Sequence, residues 1–256
     1  MRKNAKFDPN QGFVTQRRNI LTNQSSFQVQ EAYKALRTNV RFSLSGKGCK
    51  KFGITSSVSG EGKSITILNL AISFAQTGQK VLLIDADMRR PSLAKLLIEK
   101  PNPGLSNYLA GLNTIHEVVR KDVYENLDVI LSGEIPPNPS ELLDSDNMQK
   151  LLADMELQYD YIMVDFPPVG VVADACVVAN ELNGLLFLVR QNVTERDAVA
   201  AGVKQLEMSG AKLLGFVING AQHSTKNSDY TYRYSYETTE QSPSKKKKFS
   251  VKRKKQ

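Results

Sequence analysis

The strongest chemical signal in the sequence is the segment SVSGEGKS over residues 57–64. Gly60 and Gly62 allow backbone N–H groups to turn inward around phosphate oxygens, and a helix starting at Lys63 would add the positive end of its dipole. The Lys63 ammonium can reach the β- and γ-phosphates of a nucleotide, and the Ser64 hydroxyl can bind Mg²⁺. The segment therefore predicts a P-loop.

One position departs from the usual P-loop pattern, because Ser57 stands where glycine is common. The alternative is a glycine-rich turn before an ordinary helix. An apolar strand pattern before the segment and a helical pattern after it favour the P-loop. The residues predicted to bind ATP through this loop are Ser59, Gly60, Glu61, Gly62, Lys63, Ser64 and Ile65.

Acidic residues follow two further apolar runs. Asp85 and Asp87 end the run at 81–87, and Asp165 ends the run at 161–165. Doubly wound sheets bind ligands beyond the carboxyl ends of their strands, so we expect these carboxylates to lie near the P-loop. If the first strand continues to Asp87, Asp85 and Asp87 share a face of it. An Asp delivered by an apolar strand is typical of a Mg²⁺ ligand in phosphoryl transfer.

A row of tyrosines lies near the C-terminus, in the string DYTYRYSYE over residues 229–237. At a spacing of two residues, an extended chain would present all of them on one face. An edge strand, or base stacking helped by Arg233, is an alternative. The polar flanks favour an accessible row that enters a kinase cleft one residue at a time. The predicted phosphoacceptors are Tyr230, Tyr232, Tyr234 and Tyr236.

Transfer of a phosphoryl group to tyrosine requires positioned phosphates, neutralised charge and an oriented nucleophile. Lys63, Ser64 and Asp165 can meet the first two needs. Since the tyrosine hydroxyl has a pKa near 10, a carboxylate that accepts its proton would help. We predict Asp85 as this base and Asp87 as a water-mediated Mg²⁺ ligand, with the two roles exchangeable. The predicted catalytic residues are thus Lys63, Asp85, Asp87 and Asp165, and the predicted metal ligands are Ser64, Asp87 and Asp165.

Alternating strand and helix patterns must position these groups. The fold class that they predict is α/β, a doubly wound, mostly parallel sheet of P-loop NTPase type. The predicted strands are 52–56, 80–85, 127–131, 160–165, 184–190 and 212–218. The predicted helices are 28–45, 63–77, 91–98, 139–157, 174–182 and 194–208, the fourth opened by a capping box over Asn138, Pro139 and Glu141.

Composition, together with the motifs above, predicts three parts in the 256-residue chain: a polar, flexible arm over 1–27, a P-loop kinase domain over 28–220 and a disordered tail over 221–256. The net charge of +8 comes from residues 245–256, which hold eight Lys and Arg residues and no acid. The body is therefore neutral, and this excludes a basic nucleic-acid-binding face. The basic end could instead bind an anionic membrane surface or merely aid solubility.

Other classes of protein are disfavoured by what the sequence lacks. Cys49 and Cys176 are far apart and have no Cys or His partners at metal spacing, so we expect inert thiols. The chain shows no signal peptide and no apolar run of membrane-spanning length, which predicts a cytoplasmic protein. The loop reads GEGKS rather than G-x-G-x-x-G, which disfavours a dinucleotide-binding oxidoreductase.

The segments SGEGKS, LLIDADMRRP and VDFPP, together with the tyrosine row, resemble the bacterial tyrosine kinases of capsular and exopolysaccharide systems. The resemblance covers about residues 28–236. It implies an ATP- and Mg²⁺-dependent kinase that autophosphorylates its tail between subunits of a ring and regulates polysaccharide synthesis and export. It also implies that Asn219 contacts the nucleotide. Phe166 departs from the family pattern, in which a small hydroxyl residue is common before the prolines.

The same resemblance implies the partners. A helix in the family mediates ring assembly, and Glu31, Lys34 and Arg37 stand in the corresponding places, Lys34 replacing an arginine. Because the chain has no membrane span of its own, it is similar to the split form of the family. That form implies a separate membrane-bound activator (a polysaccharide co-polymerase), recruitment to the inner face of the cell membrane, and a cognate tyrosine phosphatase.

Two rival functions share part of these signals. An ATPase switch of the septum-positioning or chromosome-partitioning type has the same fold, but it carries a second lysine at the place of Val58 and lacks a tyrosine row. An adaptor that binds ATP structurally, and docks partners through its tail, would bind nucleotide without transferring phosphate.

Overall fold

Seven strands form one sheet in the computed structural model, which describes residues 17–44 and 46–221. The strand order is β3-β4-β2-β5-β1-β6-β7, with β3 antiparallel to β4 and every other neighbouring pair parallel. The strands are β1 Lys50–Ser56, β2 Val81–Asp85, β3 Val119–Tyr124, β4 Leu127–Ile130, β5 Tyr161–Asp165, β6 Gly184–Arg190 and β7 Leu213–Asn219. The predicted doubly wound, mostly parallel sheet is confirmed.

Helices cover both faces of the sheet. They are α1 Phe27–Ser43, α2 Lys63–Ala75, α3 Leu93–Leu97, α4 Leu105–Leu109, α5 Ile115–Val118, α6 Pro139–Leu143, α7 Asp146–Glu156, α8 Asp174–Val178 and α9 Arg196–Met208, with a 3₁₀ turn at Ala179–Glu181. The helices α1 to α3 pack on one face, and α4 to α9 pack on the other. None of the helices in the described part of the chain is both long and apolar enough to cross a bilayer.

A hydrophobic core lies on each face of the sheet, and successive strand residues point alternately into one core and the other. In β2, Leu82 and Ile84 belong to the core under α4 to α9, whereas Val81 and Leu83 belong to the core under α1 to α3. All of these side chains are fully buried. Because both faces are covered, the strands read as continuous apolar runs in the sequence, and their carboxyl ends meet at one edge of the sheet.

The segment before α1 is ordered, so the predicted flexible arm over 1–27 is wrong for residues 17–26. Leu21 is only 4% exposed, and its backbone N–H donates to the side-chain oxygen of Asn69 in α2 at 2.7 Å. The Asn69 amide in turn donates to the carbonyl of Asn19 at 2.8 Å and to the hydroxyl of Tyr33 at 3.0 Å. Residues 1–16 of the arm, and the predicted tail beyond 221, lie outside the described residues.

The predicted helix over 139–157 is two helices, α6 and α7. The chain turns at Ser145, whose hydroxyl donates to the carbonyl of Leu142 at 2.7 Å, and Ser145 then precedes the first residue of α7. Asn138 does not cap α6 through its side chain, because its amide donates to the Glu141 carboxylate instead. The apolar pattern of the sequence is continuous across this turn, so it did not reveal the break between the two helices.

Candidate nucleotide site

The loop between β1 and α2 has the backbone that a P-loop requires. Gly60 and Gly62 adopt positive φ angles of 83° and 99°, and Gly62 is the residue just before the first turn of α2. A β-carbon at Gly62 would collide with the side chain of Asn219. Glycine is thus required here for both conformation and space. Lys63 opens α2 and is 6% exposed, with its backbone at the positive end of the helix dipole.

The loop is supported from behind by one of its own side chains and by side chains of β6, of the turn after β6 and of β7. Asn219 donates from its amide to the carbonyl of Glu61 at 2.8 Å. The Glu61 carboxylate, 1% exposed, accepts hydrogen bonds from the backbone of Val58 at 3.0 Å and from the hydroxyl of Thr194. Arg190 donates to the carbonyl of Gly60 at 3.1 Å. Because the carboxylate and the carbonyl of Glu61 are both engaged, its backbone N–H is the group that can bind a phosphate.

Two carboxylates lie side by side under the loop. Asp85 and Asp165 are the last residues of the parallel neighbours β2 and β5, where they pair in register, and both are fully buried. Neither oxygen of Asp165, nor the Oδ2 of Asp85, has a hydrogen-bond partner among the described residues. Buried polar atoms without partners are rare, so the arrangement favours a ligand that supplies positive charge.

Asp87 does not continue the strand. The strand β2 ends at Asp85, and the backbone N–H of Asp87 folds back to the Oδ1 of Asp85 at 3.2 Å. The expectation that the two residues share a face of a continuing strand is therefore wrong. Asp87 lines the cleft beside the loop, whereas Asp85 lies deeper. Its Oδ1 also accepts the backbone N–H of Arg90 at 3.0 Å, which fixes this turn.

Burial changes the proton affinity of both strand-end carboxylates. It raises the pKa of Asp165 to about 7, against the opposing effect of the Lys63 ammonium. Burial also raises the pKa of Asp85 well above its usual value, and the charges of Asp165 and Asp87 raise it further. A bound cation would reverse this repulsion and keep the carboxylates ionised.

The residues present fit a magnesium–nucleotide complex. Mg²⁺ is usually held by one or two carboxylates together with substrate phosphates and water, rather than by a closed protein cage. No group of three His, Cys, Asp or Glu side chains within residues 17–44 and 46–221 forms a ready metal site. Ser64, at the start of α2, accepts a hydrogen bond from the Ser92 hydroxyl at 2.6 Å.

A cleft of about 560 Å³ adjoins the loop. Six of the predicted loop residues and Asp87 line it, and it continues along the segment after β2. Its lining comprises Ser59, Gly60, Gly62, Lys63, Ser64, Ile65, Asp87, Arg89, Arg90, Pro91, Ser92, Lys95 and Ile135. A second cleft of about 500 Å³, between α9 and β7, is lined mostly by apolar residues and shares none of these groups. The first cleft is therefore the candidate site.

Sequence reasoning missed an ion pair on the wall of this cleft. Arg89 donates to both carboxylate oxygens of Asp174, at 3.0 Å and 3.2 Å, and Asp174 is fully buried at the start of α8. The hydroxyl of Ser140 in α6 lies between them, donating to Asp174 at 2.6 Å and accepting from Arg89 at 3.0 Å. The two arginines that follow Asp87 and Met88 were the only sign of this ion pair in the sequence. The partner of Arg89 could not be identified from them, because it lies 85 residues away.

The remaining predicted residues lie elsewhere. Glu31 and Lys34 form an exposed ion pair of 2.7 Å on α1, and Arg37 donates to the hydroxyl of Ser73 in α2 at 2.9 Å. Asn219 lies behind the loop, outside the lining of the cleft. The predicted phosphoacceptor tyrosines lie outside the described residues.

Phe166 is accommodated by a glycine on the neighbouring strand. Its side chain is fully buried, and a β-carbon at Gly53 in β1 would collide with the Phe166 ring. The backbone N–H of Phe166 bonds the carbonyl of Ile54 at 3.0 Å. The departure from the family pattern thus fills a space that Gly53 leaves, next to Asp165.

Comparisons with known proteins agree with this geometry. Residues 50–183 match the family model described as an AAA domain. The tyrosine-protein kinase YwqD of Bacillus subtilis (strain 168) is 38% identical over 223 residues, which cover 87% of this chain and 94% of that protein. The chain belongs to the bacterial tyrosine-protein kinase family. The tyrosine-protein kinase etk of Escherichia coli (strain K12) is 36% identical over 80% of this chain, which spans 28% of that longer relative.

Solved structures of the family have the same fold. The kinase domain of Escherichia coli tyrosine kinase ETK superposes with a TM-score of 0.73 at 35% identity, covering 80% of each chain. The chimerical protein CapA2B2 also gives 0.73, at 34% identity, covering 77% of this chain and 86% of that one. The septum site-determining protein MinD of Pyrococcus horikoshii, with a TM-score of 0.58 and 21% identity, shares the fold alone. The nucleotide-binding fold that the sequence predicts is confirmed.

Proposed function

We propose that this protein is an ATP-dependent protein-tyrosine kinase that phosphorylates its own C-terminal tyrosine row. One observation carries the phosphoryl-transfer part of the proposal: the buried carboxylates of Asp85 and Asp165, with three of their four oxygens lacking a hydrogen-bond partner among the described residues, lie at the strand ends beside a loop with P-loop geometry. The preference for tyrosine rests on family membership and on the row itself.

Each residue has a defined task in this proposal. The loop backbone and Lys63 would bind the phosphates, and Ser64, Asp165 and Asp87 would hold Mg²⁺. When bound there, Mg²⁺ would supply neutralisation of the charge that develops on the phosphates. The phenol oxygen of tyrosine forms a bond to the γ-phosphorus while the bond to the β–γ bridging oxygen breaks and ADP leaves. Asp85, which a bound cation would keep ionised, accepts the phenol proton.

Assembly and location are further parts of the proposal. We assign α1 to contacts between subunits of a ring, through Glu31, Lys34 and Arg37. In support, α1 exposes three large apolar side chains, Phe27 at 76%, Val29 at 40% and Phe42 at 84%. A ring would bring the tail of one subunit to the cleft of the next. A cytoplasmic location at the membrane, an activating membrane protein and a cognate tyrosine phosphatase complete the proposal.

The decisive experiment follows phosphate from ATP to the tail. Purified protein is incubated with labelled ATP and Mg²⁺, with and without the cytoplasmic segment of the activator. We expect label on tyrosine in the wild type, and its loss both in Lys63→Met and in a variant with all four tail tyrosines changed to Phe. The Phe variant should still bind nucleotide. Release of inorganic phosphate without labelled tyrosine in the presence of the activator segment would make the protein a hydrolase instead.

The proposed membrane contact of the basic end has a separate test. Sedimentation with vesicles that contain anionic lipid compares the full chain with a variant truncated after residue 244. About 1 kcal/mol per basic residue near such a surface predicts strong, salt-sensitive loss of binding on truncation. Equal sedimentation of both proteins would exclude this role.

A further inference from the structure

The cleft extends from the P-loop to one side only. Besides the loop, its walls come from the segment after β2 and from Ile135, which follows β4. Among the described residues, none from β6 or β7 lines it. Because Asp85 and Asp87 also lie at the end of β2, a hydroxyl that gives up its proton there must approach through this part of the cleft. The far wall is thus on the acceptor side.

Ile135 is an exposed apolar side chain on a fixed loop. It lines the cleft although 67% of its surface is exposed. The preceding residue, Glu134, is held by two nearly buried side chains of α4. Its carbonyl accepts from the Ser106 hydroxyl at 2.6 Å, and its N–H bonds the Asn107 side chain at 3.4 Å. The loop therefore presents an apolar surface in a fixed place, where covering it would be favourable.

Arg90 supplies the charge on the same wall. Its neighbour Arg89 is neutralised by Asp174, whereas no hydrogen bond or ion pair within the described residues engages the Arg90 guanidinium. The Arg90 backbone N–H is bonded to Asp87 at 3.0 Å, so the residue stands next to the reacting groups. An exposed guanidinium at this place can pair with a carboxylate or a phosphate on an incoming chain.

We propose that Ile135 and Arg90 form the acceptor subsite and select tyrosines that have a negative charge nearby. Ile135 covers one face of the phenol ring, and Arg90 pairs with an acidic side chain next to the acceptor tyrosine. This inference rests on the proposed kinase function. It deepens that function by naming the substrate class: extended segments with tyrosine beside Asp, Glu or phosphotyrosine.

The tail itself offers such sites at its two ends. Asp229 precedes Tyr230, and Glu237 follows Tyr236, while the inner tyrosines have no acid beside them. Once an end tyrosine is phosphorylated, its phosphate supplies a negative charge two residues from the next tyrosine. The subsite therefore predicts an order of modification, with Tyr230 and Tyr236 before Tyr232 and Tyr234.

The test uses two peptides, DYTYRYSYE and its neutral counterpart NYTYRYSYQ, with the full-length kinase, its own tail tyrosines changed to Phe. We expect Arg90→Gln to raise the KM for the acidic peptide about three- to fivefold, and to leave the KM for the neutral peptide and for ATP unchanged, as exposed ion pairs are weak. Ile135→Ala should raise the KM for both peptides about fivefold, again without affecting ATP. A general defect in folding would not change the KM for one peptide while leaving the KM for the other peptide or for ATP unchanged.

Matched controls and a charge exchange make the test sharper. Arg196→Gln changes an exposed arginine of the other cleft, and Leu157→Ala changes an exposed apolar residue at the end of α7; both should leave every KM unchanged. Arg90→Glu should prefer the neutral peptide over the acidic one. A time course by mass spectrometry on the unaltered protein should show Tyr230 and Tyr236 modified first.

Two results would overturn the subsite and leave the kinase assignment standing. The first is an equal effect of Arg90→Gln on the acidic and neutral peptides, and the second is a changed KM for ATP alone. If the wild-type protein, with the activator segment present, phosphorylates neither a peptide nor its own tail, the kinase proposal fails and the subsite fails with it. The outcomes are thus distinguishable.

Discussion

The sheet has a buried aspartate near each of its two edges, and the two differ in their hydrogen-bond partners. At the carboxyl edge, Asp165 is fully buried and neither of its oxygens has a partner in the described part of the chain. Near the amino edge, at the second residue of β4, Asp128 is also buried, but its oxygens accept from Lys121 at 2.8 Å, from the Tyr159 hydroxyl at 2.6 Å and from the backbone of Asp122 at 2.7 Å.

The pKa values of the two aspartates separate accordingly. Burial raises the pKa of Asp165 to about 7. Burial acts in the same direction on Asp128, but hydrogen bonds from Lys121 and Tyr159 outweigh it and lower the pKa of Asp128. A buried carboxylate with hydrogen-bond donors contributes to the stability of the fold, whereas a buried carboxylate without donors can bind a ligand. The comparison separates residues that hold the fold from residues that serve the reaction.

The largest expected effect is on the reaction, from Asp165→Asn. Loss of a metal ligand should lower the rate of tyrosine phosphorylation at least about a hundredfold, equivalent to about 2.7 kcal/mol. The same change removes a buried charge, so the nucleotide-free protein should become more stable at pH 8 by about 2 kcal/mol. Labelled ATP measures the rate, and urea unfolding followed by circular dichroism measures the free energy. A loss of both activity and stability would contradict the assigned role.

Asp128→Ala should lower stability and leave the rate of phosphorylation unchanged, the reverse of Asp165→Asn. It leaves the buried Tyr159 hydroxyl and the Asp122 N–H without an acceptor, so the free energy of unfolding should fall by about 2 to 3 kcal/mol. The rate per folded molecule should stay unchanged, because the cluster lies away from the cleft. Urea unfolding checks the first expectation, and phosphorylation at a temperature where the variant is folded checks the second. Tyr159→Phe is the milder companion, with a loss of about 1 kcal/mol.

The pH dependence of stability should differ in sign between the two aspartates. A raised folded pKa gives Asp165 a stabilising contribution that is complete below about pH 4 and is lost as the pH rises through about 7. A lowered folded pKa gives Asp128 a contribution that is present above about pH 4 and is lost in acid. Between pH 6 and pH 8, the stability advantage of Asp165→Asn over the wild type should therefore grow by about 1 kcal/mol. An advantage that shrinks over this range would refute the argument.

The smallest effect concerns the support of the loop. Asn219→Ala removes a hydrogen bond to the Glu61 carbonyl, so the KM for ATP should rise about fivefold, equivalent to about 1 kcal/mol. If Asn219 acts through the loop, the KM for GTP rises by the same factor. If it contacts the base, as the family resemblance implies, the two nucleotides respond differently. Steady-state kinetics with both nucleotides distinguishes these outcomes.

The sequence predicts the reacting groups better than it predicts their supports. Gly62, Lys63 and Asp165 follow from local patterns, because a turn, a helix start and a strand end each leave a mark on adjacent residues. The pairing of Arg89 with Asp174 does not, since it joins residues 85 positions apart that become neighbours only when the sheet forms. Long-range polar contacts have no periodicity that a single sequence can show.

The elements follow the same rule. Strands buried on both faces were recognisable from their apolar runs, as in β2 and β5. The edge strand β3, which reads VRKDVY and has no fully buried residue, has no such run, and its pairing with β4 is irregular. The short helices α4 and α5 span about one turn each and are too brief for a 3.6-residue period to emerge. Elements are therefore harder to predict from the sequence when they are incompletely buried or short.

The Asn69 amide sets a practical boundary for shortening the chain. This side chain, on the helix that carries the P-loop lysine, is 1% exposed and bonds Asn19, Leu21 and Tyr33. A shorter version that starts at Phe27 would keep every residue of the cleft, yet it would strip two of those three partners and uncover the apolar surface beneath Leu21. Expression clones meant for kinetics or crystals should therefore begin upstream of Arg17, whose side chain bonds the carbonyl of Leu96 at 3.1 Å.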